Sequence, residues 1–413
     1  MTLTTLAQCP QTEITQLRSE LSIKQNKRIG DTLIMESWVP NVLEMEKRQD
    51  TGMLIQALSD GNWLIRCDAA QALGRIGDSQ SVERLTQALN DVSNLVRAQA
   101  AQALGRIGNS QAIQPLVTAL ADSDAFVRAQ AAQALGRIGD KRTVEPLVRA
   151  LTDIDDLARG RATQALGKIG DSGAVAPLIG LLSDKQMRIH AIHALGKIGQ
   201  PAIQPLLKAV AGSHSLCLPA AEALRRIGEP AVEPLMEALG DADAYVRMCA
   251  AKALGQLGDE PAIRPLIEAA AGNFAVWFCA TEALKEIGKP ALEPLVEALS
   301  DGNMYMQLCA AETLGMIGDN HVIGALIESL ADSNSSVRAS AAEALGHIGD
   351  NRAVAPLIEA TRDVDVRVAE NAAIALGRIS APSGKLSGKE VADIHVHWRA
   401  ECAHLTASLE KQG

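Results

Sequence analysis

Residues 109–139 read NSQAIQPLVTALADSDAFVRAQAAQALGRIG. Ile113, Leu116, Val117 and Leu120 fall at helical spacing and predict a helix, A, over 112–121. Pro115 lies in its first turn, where a missing N–H costs little. Asp122-Ser123-Asp124 supplies a turn and an N-cap. A second helix, B, is predicted over 125–138, burying Val127, Ala131, Ala134, Leu135 and Ile138, with Gly139 as a left-handed C-cap. The stretch is a pair of antiparallel helices.

The pair is one copy of many. Its closing word, Ala-Leu-Gly-Arg-Ile-Gly or a variant, recurs about eleven times. The copies centre on Gly74, Gly105, Gly136, Gly167, Gly196, Arg225, Gly255, Lys285, Gly315, Gly346 and Gly377, at spacings of 29 to 31 residues. A fixed period in this range means stacked units, none able to bury its apolar face alone. The fold class is all-α: an α-solenoid of about eleven helix pairs over 51–380. Residues 1–50 depart from the repeat and read as a helical N-terminal cap with Trp38 as a packing anchor. Residues 381–388 (APSGKLSG) read as a linker, and 389–413 as a capping helix through Val391, Ile394, Trp398, Cys402 and Leu405. End units of a solenoid must hide an open apolar face, so such caps need no functional explanation. In the middle repeats Gln200-Pro201, Glu229-Pro230 and Lys289-Pro290 shorten the linker, which is expected to alter curvature locally.

Composition narrows the function. Aromatics are 2% of the 413 residues, so Ala and Leu must do the packing. A net charge of −10 argues against nonspecific nucleic-acid binding. No run approaches the uninterrupted apolar length of a membrane span. MTLTTLAQCPQTEITQLRSE lacks a basic start followed by an apolar core, so no signal peptide is expected. Seven cysteines without paired spacing read as free thiols in a reducing cytosol, hence a cytoplasmic protein.

A solenoid works through its concave surface, here expected to be lined by B helices. Counting from the Ala of Ala-Leu-Gly as zero, positions −8, −4, −1 and +3 form one stripe. The +3 column runs Arg75, Arg106, Arg137, Lys168, Lys197, Arg226, then Gln256, Glu286, Met316, His347 and Arg378. The −1 column runs Gln71, Gln102, Gln133, Gln164, His193, Glu222, Lys252, Glu282, Glu312 and Glu343. Cations near a helix C-terminus complement its dipole; the functional alternative is a surface for an acidic partner or for ligand carboxylates. At −6, Arg66, Arg97, Arg128, Arg159, Arg188, Arg247 and Arg338 are expected to form a stabilising ladder with turn aspartates. Cys217, Trp277 and Gln307 replace that arginine in the middle.

The same middle repeats gather rings and thiols. Tyr245 and Tyr305, the only tyrosines, share column −8 with Phe126; Cys249, Cys279 and Cys309 share column −4. Trp277 and Phe278 lie on the helix between the tyrosines. Losing a repeated structural residue where rings and thiols collect points away from mere stacking; the bland reading is repeat degeneration with Cys as a small filler. Thiols one repeat apart are too distant for ordinary metal ligation. His190 and His193 are i, i+3 but lack a nearby third ligand, so no metal is expected.

The repeat VRAQAAQALGRIGD…AIQPLVTALAD resembles the HEAT-like repeats of the phycobilin lyases over about 52–380, in length and array closest to single-chain phycoerythrin lyases and lyase-isomerases. The resemblance implies an enzyme that binds a linear tetrapyrrole as substrate, with no prosthetic group. It would attach phycoerythrobilin by a thioether to a cysteine of a phycobiliprotein (phycoerythrin) subunit, and isomerise it to phycourobilin in some members. Thioether addition needs a proton delivered, and isomerisation needs one removed and one returned. The roles that follow are Tyr305 or Tyr245 as proton donor and Asp301, Asp241 or Asp243 as pyrrole holder or base. Arg247 and Arg226 would hold propionates, Trp277 and Phe278 would pack on the conjugated body, and Cys249, Cys279 and Cys309 would shape the pocket or hold the bilin transiently. The competing reading is a non-catalytic HEAT adaptor for an acidic protein. A HEAT-type metal hydroxylase is rejected because no histidine is followed by Glu. A HEAT-like DNA glycosylase is rejected on charge and scarce rings.

Overall fold

The computed structural model describes residues 41–272 and 274–380. Trp38, the 381–388 linker, the 389–413 segment, Cys9 and Cys402 lie outside the described residues. The described elements belong to the compact unit that begins at Val42. Eleven helix pairs follow one another there, with no strand among the described residues. The short helix Val42–Lys47 precedes them and packs on Thr51–Ala57 and Trp63–Ile76, so the array's packing starts ahead of residue 51.

The repeat at 109–139 folds as its chemistry directs. A 3-10 turn Ser110–Ala112 leads into the A helix Ile113–Ala119, and the B helix spans Ala125–Ile138. Asp124 caps the B helix, its carboxylate accepting from Phe126 N at 2.9 Å and Val127 N at 3.1 Å. Gly139 closes the helix at φ 75°, where a Cβ would be strained. The proline-shortened linkers need another shape: Gly288 has φ 76° and ψ −130°, a region open in practice only to glycine.

B helices stack far more intimately than A helices. The cause is the Gly of Ala-Leu-Gly. A Cβ at Gly136 would lie 2.6 Å from Ala165 Cα, and one at Gly255 would lie 2.4 Å from Ala283 Cα. Helices that touch through Gly and Ala approach closely, while A helices carry larger contact residues. The layer with the shorter spacing is the inner one, so the B helices line the concave side.

The expected ladder forms at four of its seven arginines, Arg66, Arg97, Arg128 and Arg338; Arg159 turns to the Asp153 carbonyl and to Asp156 on its own helix, and Arg188 to the Leu182 carbonyl. Arg128 Nε and Nη2 grip Asp153 of the next repeat at 2.6 and 2.7 Å, while Nη1 donates to the Asp122 carbonyl at 3.0 Å. Arg66–Asp91, Arg97–Asp122 and Arg338–Asp363 repeat the arrangement. Burial pulls the Asp91 and Asp122 carboxyls upward, but the arginine bonds and turn N–H groups outweigh it and hold them below the usual range. At Asp153 and Asp363 the arginine bond is itself the largest cause of the lowering.

Candidate functional site

The ladder fails in the middle of the array. Asp241 and Asp301 stand at ladder positions, but their arginines are replaced by Cys217 and Trp277. Arg247 keeps its bonds to the carbonyls of Asp241 (2.7 Å) and Ala242 (3.0 Å), yet Ala271 stands where its aspartate belongs. No described carboxylate pairs with its guanidinium. Gln307 restores the connection in neutral form, donating to Asp332 at 2.9 Å.

The glycine contact fails in the same place. Arg225 and Lys285 occupy the position where Gly255 has no room for a Cβ. Seven residues earlier on the same helices, where the first repeats bury Cys67, Ala98, Ala129 and Gly160, stand Leu218 and Phe278. Residues seven apart share a helix face, so both positions lie on the side of the next B helix. The junctions from Cys217–Ile227 to Ala244–Leu257 and from Phe274–Ile287 to Met304–Ile317 are more loosely packed than the Gly-sealed one between them, and the two junctions before Cys217–Ile227 are nearly as loose as the first of these. Leu218 is left 64% exposed and Phe278 56% exposed. Ile189 is also 64% exposed, because the next B helix has 11 residues instead of 14 and lacks the turn that would cover it.

A tyrosine stands on the far helix of each loosened junction. Tyr245 is 40% and Tyr305 53% exposed. Tyr245 stacks on His214 with ring centroids 3.7 Å apart and 12° between planes. His214 Nε2 faces Asp243 Oδ2 at 3.6 Å. The other oxygen of Asp243 caps the helix by accepting from Tyr245 N and Val246 N. Burial pushes that carboxyl up, but these N–H groups and the imidazole hold it below the ordinary carboxylate range, so it is ionised at neutral pH. Phe274, 80% exposed, stacks on Trp277 at 5.4 Å. Tyr245, His214 and Asp243 form one contact cluster, a phenol stacked on an imidazole that faces a fixed carboxylate, with Leu218 and Phe278 exposed on the neighbouring B helices; Arg247, two residues from Tyr245, leaves the helix on another side, toward the turn that holds Asp241.

The structure corrects several expectations about this site. Cys249 and Cys309 do not line the groove; both are fully buried between neighbouring B helices. Column −4 faces the preceding B helix, Cys249 toward Cys217 and Cys309 toward Thr281, so it forms the floor of the stack even at the loosened junctions. Burial pushes the Cys309 thiol up to about 11, and its sulfur lies 3.5 Å from Thr281 Oγ1. Cys249 is raised chiefly by Cys217 and by burial. Neither is a nucleophile at neutral pH. Cys279 is half-buried and raised by burial. Asp241 lines a cleft of about 380 Å³ between the A helices Ile203–Gly212 and Val232–Ala238. Asp301 lines a smaller one beside Arg264 and Glu297. Neither cleft includes a tyrosine, so of the three aspartates only Asp243 joins the ring cluster. Arg226 lies at the C-terminal end of its helix, eleven columns (about 16 Å along the axis) from the tyrosine column, and is paired with Glu222 at 2.9 Å. Trp277 is half-buried against the core, and Phe278 stands beside it in the open.

Sequence reasoning missed His214, which precedes its helix in a 3-10 turn and falls in no column. It also missed the apolar column Ile189, Leu218, Met248, Phe278 and Leu308. That column was readable as a change from Ala and Gly to large residues. Cys217, Cys249, Cys279 and Cys309 are free thiols, and among the described residues no group of three or more His, Cys, Asp or Glu converges for a metal. No helix among them is long and apolar enough to cross a membrane.

A stack of Gly/Ala-sealed helix pairs with a specialised central groove defines a helical-repeat protein. The chain belongs to the HEAT-repeat family, which matches residues 51–136, 82–167, 119–187, 155–217, 218–276, 273–346 and 323–387. No curated protein matches it. Among solved structures it is similar to the complex of CpcE and CpcF of phycocyanin lyase from Nostoc sp. PCC7120, at 21% identity over 70% of this chain and 98% of that one, TM-score 0.35. An engineered protein matches at 23% identity over 80% and 99%, TM-score 0.31. Human deoxyhypusine hydroxylase matches at 24% over 74% and 98%, TM-score 0.27. None of these likenesses assigns a ligand to this chain.

Proposed function

We propose that this protein is a bilin lyase that holds a linear tetrapyrrole across the two loosened junctions and passes it to a cysteine of a phycobiliprotein subunit, phycoerythrin by the resemblance of its repeat. The observation that carries the reading is the coincidence of three departures in the same repeats. The ladder is broken, the Gly/Ala seal is opened by Arg225 and Lys285, and both tyrosines stand on the opened edges. A conjugated open-chain ligand with two carboxylates matches a surface of exposed apolar side chains and a carboxylate-free arginine.

Attachment is an addition without an oxidant. The thiol of the acceptor adds across a side-chain double bond of the bilin; the S–C bond forms and the proton goes to the adjacent carbon. Leu218, Phe278 and Phe274 cover the conjugated body, Arg247 holds a propionate, and Asp243 accepts from pyrrole N–H or from His214. Tyr245 delivers the proton because His214 can resupply it; Tyr305 orients the distal ring. A lyase-isomerase would use the same pair to withdraw and return a proton.

The test is co-expression with phycoerythrobilin synthesis and a phycoerythrin subunit, reading the absorbance and fluorescence of the denatured, purified subunit. Covalent colour of the unchanged bilin means a lyase, and blue-shifted phycourobilin colour means a lyase-isomerase. Tyr245→Phe is expected to reduce attachment roughly 100-fold while leaving bilin binding within a few-fold. Undiminished attachment in that variant removes Tyr245 from the chemistry. No covalent colour with any bilin and subunit removes the enzyme reading altogether.

A further inference from the structure

Upstream of the loosened junctions the concave face has a different chemistry. Arg106, Arg137, Lys168 and Lys197 occupy one position on four successive B helices, all exposed. No carboxylate lies within ion-pair range of any of them among the described residues, whereas Arg75 at the same position pairs with Glu46. Such a row of free cations in a chain of net charge −10 is not explained by solubility. It is not explained by packing either, since the side chains touch no partner that needs their charge.

Beside the cations runs a row of amides and imidazole: Gln102, Gln133, Gln164 and His193. Deeper still are Gln99, Gln130, Arg161 and His190. Four polar atoms on that floor are buried without a hydrogen-bond partner: Gln99 Oε1, Gln130 Oε1, Arg161 Nε and His190 Nδ1. Gln130 is only 8% exposed. Unpaired buried polar atoms are costly unless something supplies the missing bonds. Amides carry a donor and an acceptor each and so suit a peptide backbone; the cations above them suit carboxylates.

We infer that the concave face from 94 to 198 is a docking surface for an extended acidic segment of a partner protein. The glutamine rows would hold its backbone, and the Arg106–Arg137–Lys168–Lys197 row its Asp and Glu side chains. The geometry sets a register. Close-packed helices lie about 8–10 Å apart, and a segment in the extended polyproline II conformation advances about 3.1 Å per residue with three residues per turn, returning to the same face every third residue. One cation therefore meets roughly every third residue of the segment. From Glu222 onward the −1 column turns acidic, with Glu282, Glu312 and Glu343 following and Lys252 the one cation among them. The acidic stretch repels an acidic segment and so confines it to the part of the groove before Glu222. This inference stands apart from the bilin reading and survives its failure.

The experiment uses the full-length protein and a fluorescent peptide of about fifteen residues with Glu at every third position, followed by anisotropy. Binding is expected at about 50 mM salt and a loss of affinity at about 300 mM. Arg106→Glu/Arg137→Glu/Lys168→Glu is expected to weaken it at least tenfold; the milder R106Q/R137Q/K168Q is expected to fall between. Arg84→Glu/Arg149→Glu/Lys208→Glu makes the same charge change on A helices and is expected to leave affinity within twofold. Circular dichroism of all three variants checks that the helices persist. No peptide binding, or equal weakening by the A-helix variant, overturns the inference. So does tighter binding of an oligouridine than of the peptide, which would make the partner a nucleic acid.

Discussion

Gly255 and Arg225 occupy the same place in the repeat and do opposite things. At Gly255 the backbone of Ala283 comes so close that a Cβ would lie 2.4 Å from its Cα. Backbone cannot move aside cheaply, so Gly255→Val forces the helices apart. Overpacking of this kind costs about 1–3 kcal/mol, and urea unfolding should show a loss in that range. Arg225 accepts that separation and uses the space, pairing with Glu222 at 2.6 Å. Glu312 is another residue whose environment works against it. Burial, with the carboxylates of Glu343 and Glu282 nearby, raises its pKa. A raised carboxyl pKa means that ionisation destabilises the fold, so stability rises as pH falls through the folded value. Glu312→Gln should therefore raise the melting temperature at pH 7 and have little effect well below its folded pKa. An equal effect at both pH values would show that charge is not the cause.

At the scale of the element, helix identity and limits were legible because each repeat carries its own punctuation. Asp124 and Gly139 mark the ends of Ala125–Ile138 as expected from local chemistry. What faced the groove was less legible. A stripe drawn on an isolated helix ignores which side its neighbour covers, and the preceding B helix covers Cys249 and Cys309. His214 was invisible because its partnership with Tyr245 crosses from one repeat to the next. The ladder shows the opposite case at Arg66, Arg97, Arg128 and Arg338, where a sequence column becomes ion pairs directly. It also allows a repair. Ala271→Asp places a carboxylate where Arg247 lacks one. Partly buried, hydrogen-bonded pairs contribute about 1 kcal/mol, so the variant should be more stable by roughly that amount in denaturant. The same change ties up the arginine proposed to hold a propionate, so bilin binding should weaken. A gain in stability with unchanged bilin affinity would separate Arg247 from the ligand.

Across the array, stability is a sum of units and nearest-neighbour interfaces, and the interfaces here are unequal. Junctions from 63 to 138 are sealed by Gly against Ala and clamped by Arg66–Asp91, Arg97–Asp122 and Arg128–Asp153. Those around 217–317 lack clamps and are sealed at only one junction, through Gly255. Amide hydrogen exchange at neutral pH should therefore show the segment 217–317 opening first and 63–138 last. Acid should erode that difference. The clamp aspartates have folded pKa values below their ordinary 3.8. Groups depressed in this way stabilise the fold above the unfolded value, and the contribution fades as pH falls through 3.8 toward the folded values. Protection of 63–138 should fall between about pH 5 and pH 3, while that of the unclamped middle changes less. If both segments lose protection in parallel, the clamps do not set the gradient. The array would then unfold as one cooperative block, leaving the loosened junctions to be explained by ligand binding alone.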